Sequence, residues 1–508
     1  MYSLLFKNGN ILTMDGQMSV KRWLAVDEHG KIAALGDRDD FPEAAGDIID
    51  LKGRTLMPGI IDSHVHSSMS GIDFNGIDLS GIDSCQGVLD AVEAYCRGEK
   101  SPRLICGWNM NLKDGMTDKR LPTRYELDEV TGEHTVMLVF WTAHGGVMNS
   151  RAVERARLPE EFRYVEKDGY FNRDDVSFYV IGAIYALHSE AEFKQIYMDL
   201  GNKCAAYGIT TIGALDGMMV KDDMDVEIIL KIHDQLPVEW VNYTQTFDYE
   251  KVLGYGLPRI GGCLTIDGSP PQLTAAYFDS YPCAPYTRGL LEYSDKHLYD
   301  FITECTKRGL QCAFHAIGDR AVDQIVRVYQ QVDKEIGIRE NRHRVEHFSL
   351  ASDEIIEAAA EMGLVAVPQP AIGNALDLGE KGNGFEAFVS PEKAQRHENF
   401  NYLIKGGLTV AGSSDSPCSP LDPFAGIDAV VNAHNPARRA SMDTALQMYT
   451  RNGAYVCRKE KEIGSLEPGK YADMIILDKS PYDVHERIDR ETLKVMETFK
   501  RGRSIFKM

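Results

Sequence analysis

The chain is expected to be an α/β protein: a (β/α)₈ TIM-like barrel with a small β domain contributed by both chain ends and an inserted lobe after the first barrel strand. Three observations predict this. Eight short apolar segments alternate with helical patterns through the middle of the sequence, as in a parallel sheet, and eight strands are the number that closes such a barrel. Residues 1–56 and 458–508 read instead as short strands joined by tight turns. Histidines and an aspartate fall at the ends of several apolar segments, where this architecture presents reactive groups.

At the N-terminus, Leu4–Lys7 and Ile11–Met14 flank Asn8-Gly9, a dipeptide suited to a two-residue hairpin. Trp23–Val26 and Lys31–Leu35 flank a second turn containing His29-Gly30. Ala472–Leu477 and Val495–Lys500, followed by the turn Arg501-Gly502-Arg503, have the same character. Both ends are therefore expected to form one composite β-sandwich domain, residues 1–56 plus 458–508. Residues 57–457 supply the barrel, with strands at Gly59–His66, Ile209–Ala214, Pro237–Thr246, Gly262–Asp267, Gln311–His315, Arg344–Phe348, Leu364–Pro368 and Leu408–Ser413. After His315, Val322, Ile325, Val326, Tyr329 and Val332 recur at helical spacing. Ser352 suits the N-cap of the next helix, with Asp353 and Glu354 at its positive end. From His66 to Ile209 there is more chain than one helix needs, so residues from about 85 to 190 are expected to form a lobe over the barrel mouth.

Composition narrows the setting. A chain of 508 residues exceeds a typical domain, although barrels with insertions pass ~400 residues. A hydrophobic share of 44% supports a large core. The formal net charge of -21 disfavours nucleic acid, which needs a basic patch. The first residues lack a signal-peptide pattern, and the most apolar stretch, Thr135–Ala143, is too short to cross a bilayer. Ten scattered cysteines form no C-x-x-C pair. The expectation is a cytoplasmic protein that binds neither membrane nor nucleic acid.

The strand-end residues carry the chemistry. His64 and His66 are two apart, so on a strand both imidazoles share a face. His315, His347 and Asp415 end three later strands. Imidazoles and a carboxylate suit zinc, which lowers the pKa of bound water from ~15.7 towards ~7. Asp415 is placed to take that water's proton and pass it to a leaving amine. Singly, His347 also suits a hydrogen-bonded core position and Asp415 a turn cap; the five together favour a metal site.

The segments Leu56–His66, Asp267–Ser269, His315–Ala321, Val345–His347, Gly412–Pro417 and Ile463–Asp473 resemble those of the amidohydrolase superfamily, specifically its amidohydrolase-3 branch, which includes N-substituted formamide deformylases. The resemblance runs nearly end to end. It implies a metal-dependent hydrolase barrel acting on a non-peptide carbon–nitrogen bond (amide, formamide or related) of a small-molecule substrate. It also implies one or two Zn2+ or another divalent metal, held by His64, His66, His315, His347 and Asp415, with Asp415 as the base, and a homodimer. Many relatives place a metal-bridging lysine on the fourth strand; Cys263 stands there here. Its thiolate suits zinc, and a small buried thiol that fills the barrel is the other reading. His144 matches a segment that faces substrate, or else orients a loop. Trp108 and Trp141 suit either an apolar substrate wall or packing. Asp267 meets substrate or supports the site, and Asp319 suits a helix N-cap. A deaminase releasing ammonia from a heterocycle or amidine is the rival on this fold. It needs a further proton shuttle, and strand alternation turns Glu346, beside His347, away from the site. A non-catalytic interaction protein would lack some ligands; none is missing.

Overall fold

The computed structural model describes residues 2–508 other than 39, 43–44, 173, 219, 221–222 and 380–383, with backbone alone at 174–175. The eight expected strands are all present and lie in one parallel sheet, neighbours in chain order. They are β1 (Ile60–Val65), β2 (Ile209–Asp216), β3 (Glu239–Thr244), β4 (Arg259–Thr265), β5 (Gln311–Ala316), β6 (Arg344–His347), β7 (Val365–Val367) and β8 (Thr409–Val410). The sheet curls until its edges meet: Asp415 N donates to His64 O at 2.9 Å and His66 N to Ser416 O at 3.0 Å. That seam carries residues 412–416 alongside β1, so the two ends of the site motif are sewn together by backbone.

Strand β4 begins earlier than expected. Gly261 and Gly262, both with φ above +90°, resemble a strand break in sequence, yet they lie within the strand as a bulge where the register with β5 shifts. Glycine is required differently at 213 in β2, where a Cβ would lie 2.2 Å from Ser63 O of β1. The helix after β5, Asp319–Ile336, buries Val322, Ile325, Val326, Tyr329 and Val332 as its periodicity requires. Ser352 caps the helix after β6 by accepting from Ile355 N. Asp319 is not a cap: Gly318 holds that position, and Asp319 accepts from Phe278 N and Lys393 Nζ.

The N-terminal hairpin does not form. Tyr2–Lys7 pairs with Trp23–Asp27 and Ala45–Asp50, whereas Asn10–Leu12 joins a different sheet beside Val20–Lys21 and Thr55–Pro58. The Asn8-Gly9 corner bonds to residues 51–54 instead: Gly53 N donates to Asn8 O, and Asn10 N to Arg54 O. A close approach to Leu51, rather than a hairpin turn, is what selects glycine at position 9. The second expected turn does join a pair, Trp23–Asp27 with Ile32–Gly36. Strands from the two chain ends meet where Thr55–Pro58 pairs antiparallel with Met474–Leu477, which continues into Val495–Lys500 and Arg503–Lys507.

Between β1 and β2, five further strands form a separate sheet: Ile77–Asp78, Leu104–Met110, Thr135–Phe140, Gly146–Met148 and Tyr170–Phe171. The loop after its third strand brings Trp141 and His144 to the C-terminal end of the eight-stranded sheet. No helix among the described residues is long and apolar enough to cross a membrane, and none of the ten cysteines is in a disulfide.

Candidate metal centre

Six side chains converge at the C-terminal ends of β1, β4, β5, β6 and the segment after β8. Their candidate donor atoms fall into three groups, within each of which they lie no more than 4.8 Å apart: His64 with His66 and Cys263, Cys263 with His315 and His347, and His64 with His347 and Asp415. Cys263, His64 and His347 are shared between groups, so the set is one contiguous cluster. Asp415 Oδ1 lies 3.0 Å from His64 Nε2 and 3.2 Å from His66 Nε2, and Cys263 Sγ lies 3.5 Å from His315 Nδ1.

Outward hydrogen bonds fix which nitrogen His64, His315 and His347 turn inward, whereas His66 Nδ1 has no hydrogen-bond partner among the described residues. His64 Nδ1 donates to Glu346 Oε2 at 2.7 Å. His347 Nδ1 donates to Gln369 Oε1 at 2.5 Å; that amide is oriented by its own donation to Val367 O and Ser413 Oγ. His315 Nε2 donates to Gly268 O at 3.3 Å. Each bond commits a proton to the outer nitrogen and leaves a lone pair on the inner one, as outer partners do for metal-binding histidines. The inner atoms His64 Nε2, His347 Nε2 and Asp415 Oδ1 are buried with no hydrogen-bond partner among the described residues. Buried polar atoms without partners are costly, and here the same atoms form a cation-binding set. The residues present therefore fit a divalent metal.

Electrostatics agree with that donor set. Burial opposes ionisation of Asp415, but His64 and His66 outweigh it and hold the carboxyl well below its usual range. Burial likewise raises the Cys263 thiol, and His315, with help from His347 and His64, brings it well below the ordinary thiol range. Those downward pulls come from the imidazoles in their protonated form; with the imidazoles neutral, a divalent cation would supply the same positive charge beside the carboxylate and the thiolate.

Glu346 does not turn away from the site. His347 has φ +65°, which breaks strand alternation and lets adjacent residues serve the same cluster. Fully buried Glu346 takes His64 on one oxygen and a two-pronged ion pair from Arg344, 2.7 Å to each oxygen, on its other side. Trp141 and His144 line the cleft above the cluster. Trp108 does not; it is core packing whose indole donates to Pro417 O at 3.1 Å, because its strand faces the main apolar core. Asp267 is also absent from the cleft lining. Its oxygens accept from the backbone N–H groups of Ala276, Ile317 and Gly318, leaving it 3.6 Å from His315 as a brace for the β5 end.

Sequence reading missed Gln369, Arg344, Gln245 and Glu398. Gln245 and Gln369 follow the last residues of β3 and β7 closely, so applying the strand-end rule to polar residues beyond histidine and acid would have found them. Glu398 sits outside the strands and carries no such signal. Five cleft-lining residues other than glycine (Ala143, Met218, His347, Glu398 and Asp415) have φ between +46° and +65°, a concentration of backbone strain typical of functional sites.

An eight-stranded parallel sheet with a His, Cys and Asp cluster at its C-terminal end defines the class of metal-dependent hydrolase folds. The structure is similar to that of an uncharacterized metal-dependent hydrolase from Pyrococcus horikoshii, with a TM-score of 0.80 at 24% identity, covering 95% of this chain and 98% of that one. The model of the amidohydrolase family, in its amidohydrolase-3 form, matches residues 47–506, and the chain belongs to that family. It is 26% identical to the protein LONG AFTER FAR-RED 3 of Arabidopsis thaliana, across 99% of this chain and 91% of that protein. It is also 26% identical to the N-substituted formamide deformylase of Arthrobacter pascens, across 99% and 98%.

Proposed function

We propose that the chain is a zinc-type amidohydrolase built on a (β/α)₈ barrel, which hydrolyses a non-peptide C–N bond of a small molecule: an amide, a formamide or a related group. In this reading His64, His66, Cys263, His315, His347 and Asp415 hold one or two divalent ions. The observation that carries it is the set of unpartnered inner atoms, two imidazole nitrogens and a carboxylate oxygen, where His64 and His347 have their outer nitrogens committed to protein oxygens. A divalent cation bound there supplies the Lewis acidity that makes water nucleophilic near neutral pH. Asp415 would also take the proton of the attacking water and deliver it to the leaving nitrogen. Glu346 and Gln369 hold His64 and His347 in register while this happens. Trp141 excludes water from the apolar part of the substrate, and His144 contacts its polar end. The formamide alternative draws on the name of the Arthrobacter relative.

The same reading assigns residues 57–457 to the catalytic domain, with a lobe at about 85–190, and residues 1–56 plus 458–508 to a composite β domain. It places the enzyme in the cytoplasm as a homodimer. The test is metal analysis of the purified chain, followed by a panel of N-formyl and N-acyl amines, amidines and amino-heterocycles, scored for amine against ammonia release. Zinc retention with amine release supports the proposal. Ammonia release alone favours a deaminase, and a chain that stays metal-free and inactive after reconstitution overturns the proposal.

A further inference from the structure

Three buried polar side chains line the cleft, lie outside the metal cluster and its braces, and carry an atom without a hydrogen-bond partner among the described residues: Gln245, His397 (at Nδ1) and Glu398. Gln245, just beyond β3, is 2% exposed, and neither its Nε2 nor its Oε1 has a hydrogen-bond partner among the described residues. Glu398 is 6% exposed. One of its oxygens accepts from Ser349 Oγ, while Oε2 has no partner among the described residues. Glu398 is held in a left-handed conformation, φ +53°, by its backbone bond to Ser349 O, and Gly373 makes room for it: a Cβ at 373 would lie 2.8 Å from the Glu398 Cβ. The apolar part of the wall is formed by Trp141, Phe178, Ile317, Ile372, Leu376 and Phe385. An unpaired amide and an unpaired carboxylate oxygen, both buried, are costly in the protein alone. In a small, apolar cleft, a few such groups are what orients a ligand.

We infer that Gln245 and Glu398 are substrate-recognition residues. Gln245 pairs through its donor and acceptor with a C(=O)–NH unit, and Glu398 Oε2 accepts from a second N–H or an ammonium group. The substrate is therefore an aromatic or aliphatic amide that carries an additional amino group. This deepens the amidohydrolase reading, on which it rests for the location of the site. It does not require that the bound amide be the bond cleaved.

The test is calorimetric binding of three probes to the full-length protein, zinc-loaded and chelator-treated: benzamide, N,N-dimethylbenzamide and 4-(aminomethyl)benzamide. Benzamide should bind about fivefold more tightly than its dimethyl derivative, and the aminomethyl probe about tenfold more tightly than benzamide. Gln245→Leu should erase the first ratio and keep the second; Glu398→Gln should erase the second and keep the first. Wild-type ratios near one, absence of binding by every probe, or variants that weaken all three probes equally would each overturn the inference. Zinc content and product release on the same preparations test the hydrolase reading separately. Discrimination by a protein that stays metal-free and inactive across the substrate panel leaves these residues as binding groups and removes the hydrolase, whereas turnover without discrimination does the reverse.

Discussion

Substituting Glu346→Gln tests whether the buried pair beneath His64 supports both the fold and the metal site. Arg344 and Glu346 are both fully buried and share two 2.7 Å contacts, Arg344 Nη2 also donates to Ser63 O at 2.8 Å, and its guanidinium stacks over Tyr243. Burial opposes ionisation of Glu346, but Arg344 holds it below the ordinary carboxylate range. Glutamine keeps the shape and removes the charge, leaving a guanidinium buried and uncompensated, a loss of about 3–5 kcal/mol. His64 keeps only a neutral acceptor, so zinc affinity should fall about 10–100-fold. Urea unfolding of chelator-treated protein reads the first effect, and competition with a chromophoric chelator reads the second. The double variant Arg344→Met/Glu346→Leu, with no charge left to strand, should regain most of the stability but none of the zinc affinity. A Glu346→Gln protein within about 1 kcal/mol of wild type with unchanged zinc affinity would refute the reasoning, as would recovery of both properties together in the double variant.

Three further outcomes are expected. Cys263→Ser should weaken zinc binding and remove sulfur from the metal's scattering shell; full metal content and activity would return Cys263 to a packing role. Burial, reinforced by the Arg458 charge, pushes His343 down to about 3, and it accepts from Cys312 N in that neutral form. Because the folded value lies below the unfolded one of about 6.5, the unfolded chain binds the extra proton. Stability should thus fall by about 1.4 kcal/mol per pH unit as pH drops from about 6 towards about 4. His343→Asn should flatten that slope in urea titrations at matched pH, and an unchanged slope would exclude His343 as its source. Gly213→Ala, which forces a Cβ against Ser63 O, should separate β1 from β2 and leave little soluble protein; a folded, zinc-binding variant would show that the strands can part.

Much of the fold was legible because its determinants are local. Each strand of the eight-stranded sheet is a compact apolar run, and the helix after β5 announces itself through one stripe of buried residues. His64, His66, His315 and His347 converge because they lie at strand ends, which share one face of a parallel sheet, and Asp415 joins them on the segment after β8 that is bonded alongside β1. What failed depended on tertiary partners. Asn8-Gly9 looks like a hairpin, but its partner is the 51–54 loop. Glu346 broke an alternation rule because of one positive φ at His347, and Asp319 gave up capping for Lys393 across the loop. Trp108 and Trp141 have equal claims in sequence; only the packing of the five-stranded sheet puts one in the core and the other at the cleft.

X-ray absorption at the zinc edge, on protein reconstituted to constant metal content, tests the central claim most directly. The account predicts a first shell of imidazole nitrogen, carboxylate oxygen and one sulfur that is lost when His64, His347 and Asp415 are replaced together. A protein that binds no zinc, or whose zinc spectrum is unaltered by that triple replacement, would contradict it.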